Sequence, residues 1–129
     1  MEFIVRSQLG FEPNADVVVD DERGRIVVAV EIAGADPDSL RIAIEDQHLQ
    51  ITGRRSAPAR IARGSLMQKE IAYGPFAKRI GLPVAVDFLG EAVASYADGV
   101  LVIALPIAPG AYLPTARTEI RMIVKRTLS

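Results

Sequence analysis

Residues Ala94 to Pro106 read Ala-Ser-Tyr-Ala-Asp-Gly-Val-Leu-Val-Ile-Ala-Leu-Pro, and no other stretch of the 129-residue chain constrains its fold as much. Asp98-Gly99 separates two apolar runs, and glycine accepts the positive φ of a tight turn, so the spacing predicts a hairpin. Val100 to Leu105 is six consecutive apolar residues, three of them β-branched, closed by Pro106. Such a run predicts a strand in the middle of a sandwich with both faces covered. No acid, base or nucleophile stands in it where chemistry would need one. The stretch speaks of architecture, and any function has to be built on that architecture.

The rest of the chain repeats the pattern. Val17-Val18-Val19 predicts a short strand ended by the polar turn Asp20 to Arg25, and Ile26 to Ile32 a second strand ended by Ala33-Gly34. Leu40, Ile42 and Ile44 alternate with Arg41, Ala43 and Glu45, the period of two of a half-buried strand. After Asp46-Gln47, the segment His48 to Gly53 places Leu49 and Ile51 on one face and completes a second hairpin. Arg54 to Gly64 reads as a loop, and strand character resumes between Lys69 and Ile80 until Pro83 breaks it. Ala92 to Tyr96 and Val100 to Leu105 bring the total to about seven short strands with no long 3.6-residue period, the pattern of an all-β sandwich. From Ile107 onward Pro109, Gly110 and Pro114 predict an extended linker that cannot rejoin the sheet, leading to the apolar cluster Ile120 to Val124.

A chain of this length has room for one domain, and 50% hydrophobic with 24% charged residues is ordinary globular composition. A net charge of −1 supplies no basic field for nucleic acid. Without cysteine there are no disulfides, thiolate zinc sites or cysteine nucleophiles, which suits a reducing cytoplasm. The opening Met-Glu-Phe-Ile-Val-Arg-Ser-Gln-Leu-Gly is too short and too polar for a signal peptide or a membrane span, so the expectation is a soluble cytoplasmic protein.

Catalytic, metal and cofactor readings find no footing. His48 is the single histidine and has no partners at ligand spacing. Asp20-Asp21-Glu22 lacks the glycine and the bidentate glutamate of a calcium loop and reads as a solvated turn, as does Glu45-Asp46. No serine has the Gly-x-Ser-x-Gly context of a hydrolase, and no Gly-x-x-x-x-Gly-Lys-Ser/Thr loop is present. Arg54, Arg55, Arg60 and Arg63 have no interleaved aromatics for stacking on RNA, so a solvated loop is the better reading.

These residues match a known pattern. Ala94-x-x-x-x-Gly99-Val100-Leu101, with Ile103 and Leu105-Pro106 following, resembles the signature hairpin of the α-crystallin domain of small heat-shock proteins. Ala33-Gly34 is similar to that family's Pro-Gly turn, and Leu49-x-Ile51-x-Gly53-x-Arg55 to its Leu-x-Ile-x-Gly strand. Glu70-x-x-Tyr73-Gly74-x-Phe76 followed by Leu82-Pro83 is similar to its Tyr-Gly-x-Phe block. The likeness runs from residue 11 to residue 106. Three positions depart from the pattern: Lys78 stands where Arg is common, Ile71 replaces the Arg after Glu70, and Phe11 sits where Trp is common. A lysine keeps the charge but loses the bidentate fork, so an ion pair at Lys78 is expected to be looser.

The resemblance implies an immunoglobulin-like antiparallel β-sandwich over 13–106, preceded by a short apolar arm (1–12) and followed by a C-terminal extension (107–129) that carries an anchor motif. It implies an ATP-independent holdase, not an enzyme, with no cofactor, working as a homodimer and a higher homo-oligomer on partly unfolded clients, with neither nucleic acid nor membrane as partner. Ile120-x-Met122 is similar to the family's tail motif, whose two anchors enter a groove on an adjacent subunit. A short helix through Ile120, Ile123 and Val124, and a Met122-x-Val124 register, are the other readings of the tail. By the same resemblance the groove is walled by Leu40, Ile42 and Ile44 on one side and Ala92, Ala94 and Tyr96 on the other. Ile61 to Leu66 is either a mobile loop or an extra strand exchanged with a partner. Phe3, Ile4, Val5, Leu9 and Phe11 make an arm that either captures clients or packs back on the sandwich. A monomeric co-chaperone adaptor of the CS-domain kind, binding a folded partner, is the alternative function.

Overall fold

The computed structural model describes residues 10–87, 90–109, 118–120 and 122–124. Seven strands lie between Asn14 and Pro106: β1 (Asn14–Asp20), β2 (Arg25–Glu31), β3 (Arg41–Glu45), β4 (His48–Arg55), β5 (Gly74–Gly81), β6 (Val93–Ala97) and β7 (Val100–Pro106). Two short strands follow, β8 (Thr118–Glu119) and β9 (Met122–Val124). They form a five-stranded sheet in the order β1-β2-β7-β6-β9 and a four-stranded sheet in the order β5-β4-β3-β8. All pairings are antiparallel except β6 with β9.

Alternation along the strands builds the core. Ile26, Val28 and Val30 of β2, Leu101, Ile103 and Leu105 of β7, and Leu49 and Ile51 of β4 are fully buried. Each such side chain contributes about 1.5–3 kcal/mol of transfer free energy when it leaves water. Both tight hairpins turn through positive φ. Asp46 and Gln47 (51° and 63°) join β3 to β4, and Asp98 and Gly99 (54° and 79°) join β6 to β7. Two successive positive φ values define the turn whose twist matches its flanking strands. The polar turn after β1 is held by Asp20, which accepts from the Arg23 amide at 3.1 Å and from its guanidinium at 3.2 Å. The Arg23 amide is the main cause of the lowered Asp20 pKa.

Two expectations are corrected, and the state of the loop after β4 within one chain is defined. The run Val100–Leu105 is central in its sheet, but its outward side is open and Val102 keeps 37% of its surface. The core covers one face of that strand, while on the other Val100, Ala104 and Pro106 are half-buried and Val102 is exposed. The segment after Ile107 does rejoin the sheets, as β8 and β9, because the prolines end upstream and leave Thr118 to Val124 free to donate backbone hydrogens. Within this single chain Ile61–Leu66 is not a strand. Ala59–Ala62 forms the one-turn helix α1, with amides 61 and 62 bonding back to the Pro58 carbonyl.

Candidate functional site

β3 and β6, the strands next to the short tail strands β8 and β9, flank an apolar groove. Leu40, Ile42, Ile44, Ala94 and Tyr96 are all buried members of one core cluster that also contains Ile120. Ala92 precedes β6 and packs against that cluster from a half-buried position. Thr118 and Glu119 pair with Ile44 and Ala43 on the β3 edge, and the Ile120 amide donates to the Ile42 carbonyl at 3.0 Å. Two residues later Met122, Ile123 and Val124 run parallel to Ala94, Ser95 and Tyr96 on the β6 edge. Ile120 therefore sits where the chain crosses from one sheet to the other, with 9% of its surface left exposed. The tail takes strand conformation over 118–119 and 122–124, not the helix of the alternative reading.

The chain docks its tail on its own sandwich, whereas the resemblance implied an adjacent subunit. Eleven residues separate Pro106 from Thr118, a reach of roughly 35 Å, so self-docking needs no special geometry.

Tyr96 ties the groove to the Ala33-Gly34 turn. Its hydroxyl donates to the Ile32 carbonyl at 2.6 Å and accepts from the Ala35 amide at 3.1 Å. Sequence alone could not show this role, because the partners lie more than 60 residues away in the chain. Tyr96→Phe strands both backbone groups in a buried place and is expected to cost about 1–3 kcal/mol. Urea unfolding checks it, and a midpoint unchanged from the parent would show that the hydroxyl carries no such role. In the signature hairpin, Ala94 and Leu101 are fully buried, and the Gly99 carbonyl accepts from the Ile32 amide at 2.8 Å. Val100 pairs with Glu31 of β2, which locks the hairpin into the sheet.

Arg55 is no part of a solvated patch. Its guanidinium donates to the Ala72 carbonyl at 2.6 and 3.0 Å and to the Ala33 carbonyl at 3.0 Å, and it covers the Phe11 ring at 4.6 Å. Its place at the end of the Leu-x-Ile-x-Gly-x-Arg strand was the available signal. Phe11 itself packs against Phe76 with ring centroids 5.5 Å apart, and its backbone bonds to β5. As a client-capturing side chain it is therefore spent on the sandwich, whereas Phe3, Ile4, Val5 and Leu9 lie outside the described residues. Lys78 reaches Glu12 at only 3.9 Å, the loose contact expected of lysine there.

The seven residues of β1 pair on one side only, and Val17, Val18 and Val19 stay 38–56% exposed. The loop after β4 exposes Ile61, Leu66, Met67 and Ile71, and all of these but Met67 line a shallow cavity. Among the described residues no three His, Asp or Glu side chains gather to hold a metal ion, and the His48 Nδ1 is engaged with the Asp46 carbonyl at 2.7 Å. No helix among them is long and apolar enough to cross a membrane.

A two-sheet antiparallel sandwich with an edge groove that receives an extended tail defines an α-crystallin-type domain. Residues 18–121 match the model of the Hsp20/alpha crystallin family. The alpha-crystallin of Mycobacterium tuberculosis is 31% identical over 107 residues, covering 78% of this chain and 71% of that protein. A 19.0 kDa class II heat shock protein of rice is 33% identical over 92 residues, covering 67% of this chain and 52% of the relative. Among solved structures, hspA of Xanthomonas axonopodis superposes with TM-score 0.62 at 27% identity, covering 78% of this chain and 97% of the other. A small heat-shock protein of Xylella fastidiosa gives 0.62 at 27%, covering 81% and 92%. The chain belongs to the Hsp20/alpha crystallin family, the small heat-shock proteins.

Proposed function

We propose that this chain is an ATP-independent holdase of the cytoplasm that works as a dynamic homo-oligomer. The observation that carries the reading is the groove between β3 and β6, which accepts an extended apolar segment by backbone pairing and burial of one isoleucine. Any chain that presents an unfolded apolar stretch offers the same chemistry. Tails released from their own groove tie neighbouring subunits together through Ile120 and Met122, and grooves left empty bind clients. Binding lowers the concentration of free aggregation-prone chains by mass action, with no chemical step.

Subunits pair through the open edge of β1. Three observations support the basic loop of a second copy as its occupant. The edge is long and unpaired, the loop's apolar side chains are exposed, and Arg60 and Arg63 complement Asp16 on the edge. The adaptor reading draws support from the self-docked tail, which fits a monomer. Light-scattering mass and client turbidity decide between them. The holdase should exceed one subunit in mass at micromolar concentration and should suppress heat-induced scattering of a model client without nucleotide. A monomer that leaves client aggregation unchanged at several-fold excess would overturn it and favour the adaptor.

A further inference from the structure

The outward side of the β1-β2-β7-β6 sheet carries an apolar field with charges at its ends. Ile26, Val28 and Val30 of β2 are buried in the core, so alternation turns Arg25, Val27, Ala29 and Glu31 outward. Register then sets rows across the strands. Val18, Val27, Ala104 and Val93 make one row, and Asp16, Ala29, Val102 and Ser95 the next. Arg25 lies between Asp20 and Pro106 in the row beyond the first, and Glu31 between Asn14 and Val100 in the row beyond the second. Val18, Val93 and Val102 keep 56%, 41% and 37% of their surface. The half of the face made by β7 and β6 has no charged side chain.

This face is complementary to itself. The inward row Val17–Val28–Ile103–Ala94 runs across its middle. A two-fold axis laid along that row exchanges Arg25 with Glu31, Val27 with Ala29, and Val102 with Ala104. Two faces stacked about it set Arg25 of each copy over Glu31 of the other, and a valine over an alanine at both central pairs of β2 and β7. Glu31, Asp16 and Ala29 also line one shallow hollow, the acidic recess that Arg25 and Val27 of a second copy would fill. Among the described residues neither Arg25 nor Glu31 has an ion pair within its own chain, whereas Asp20 beside Arg25 is already engaged by Arg23.

We infer that two copies of this chain stack these faces about that axis, with Arg25 of each entering the hollow beside Glu31 of the other. Aligned sheets pack about 10 Å apart with strands within roughly 30° of one another, which this geometry allows. The contact is isologous, and it uses neither the β1 edge nor the tail groove. Four strands by four rows cover roughly 400 Å² on each copy. About 800 Å² in total falls short of the roughly 1,200 Å² of a stable pair. The stack therefore rests on the homo-oligomer reading: it joins copies that other contacts already hold at high local concentration.

The chain contains no cysteine, so Val102→Cys places a single thiol on the face. Across the axis the two copies of position 102 lie about 12 Å apart, one row along and one sheet spacing over. A bifunctional thiol reagent of matching span is expected to give covalent dimers on a denaturing gel. Adding Arg25→Glu sets like charges over each other and should lower the yield at least about five-fold. Adding Glu31→Arg to that chain reverses the pair and should return the yield to within about two-fold of the Val102→Cys chain. Light scattering gives the mass of the same samples. A yield unmoved by Arg25→Glu, or a loss that the reversed pair does not restore, overturns the stack. With a mass above one subunit the oligomer survives that result, whereas a one-subunit mass without cross-linking removes the oligomer as well. Linkage seen only to an added thiol-bearing client gives the face to clients and also overturns the stack.

Discussion

Gly53→Val is expected to destabilise the sandwich by about 3 kcal/mol, lowering the midpoint of thermal unfolding by roughly 10 °C. A Cβ at this position would stand 2.5 Å from the tip of the Phe76 ring and 2.9 Å from a Leu40 methyl. Neither neighbour can give way cheaply. Phe76 has 2% of its surface exposed and packs against the Phe11 ring, and Leu40 has 4%. Interiors are packed to crystal density, so the strain passes into β4 and β5 together. Phe76→Leu in the same chain removes the clashing ring tip, so the double variant should be more stable than the sum of the two single costs. Calorimetry on the four chains checks this. Strict additivity would show that position 53 tolerates a side chain by moving the backbone instead.

Replacing Ile120 and Met122 together by glycine should reduce the assembly to pairs joined through their sheet edges while the sandwich stays folded. Ile120 gives up burial worth about 1.5–3 kcal/mol, and the two glycines add chain entropy that strand pairing must overcome. The other groove residues lie in β3, in β6 or directly before one of them, and β3 and β6 keep their pairings with β4 and β7. The loss therefore falls on the tail, whether it sits in its own groove or in a neighbour's. Light-scattering mass is the readout, with the urea midpoint as control. An unaltered mass would show that contacts elsewhere hold the subunits together, and a collapsed midpoint would make the tail a structural part of each sandwich.

The strands were legible because their signals are local. Leu40-x-Ile42-x-Ile44 and Leu49-x-Ile51 alternate, and Asp98-Gly99 is a turn by chemistry alone. The groove walls rested on the family likeness alone; Leu40, Ile42, Ile44, Ala94 and Tyr96 share one buried apolar cluster with Ile120, and Ala92 packs against it. What stayed hidden depends on partners distant in the chain. Arg55 reads as one of four loop arginines until Ala33, Ala72 and Phe11 are placed around it. The Tyr96 hydroxyl has no visible partner in the sequence until the Ile32 carbonyl lies beside it. The one-turn helix at Ala59–Ala62 was missed because four residues carry no period, and the return of the tail because proline forbids pairing only at its own position.

Of the four outermost strands, β8 and β9 are only two and three residues long, and β5 is engaged by Phe11 between Pro75 and Ala77. That leaves β1 as the strand whose whole outer edge is open among the described residues. A unit with a single such edge has a valence of one for strand pairing. Two copies that lay their loops on each other's β1 leave no such edge for a third, whereas loops passed onward in one direction would build a chain, so it is the reciprocity of the exchange that keeps edge addition at two.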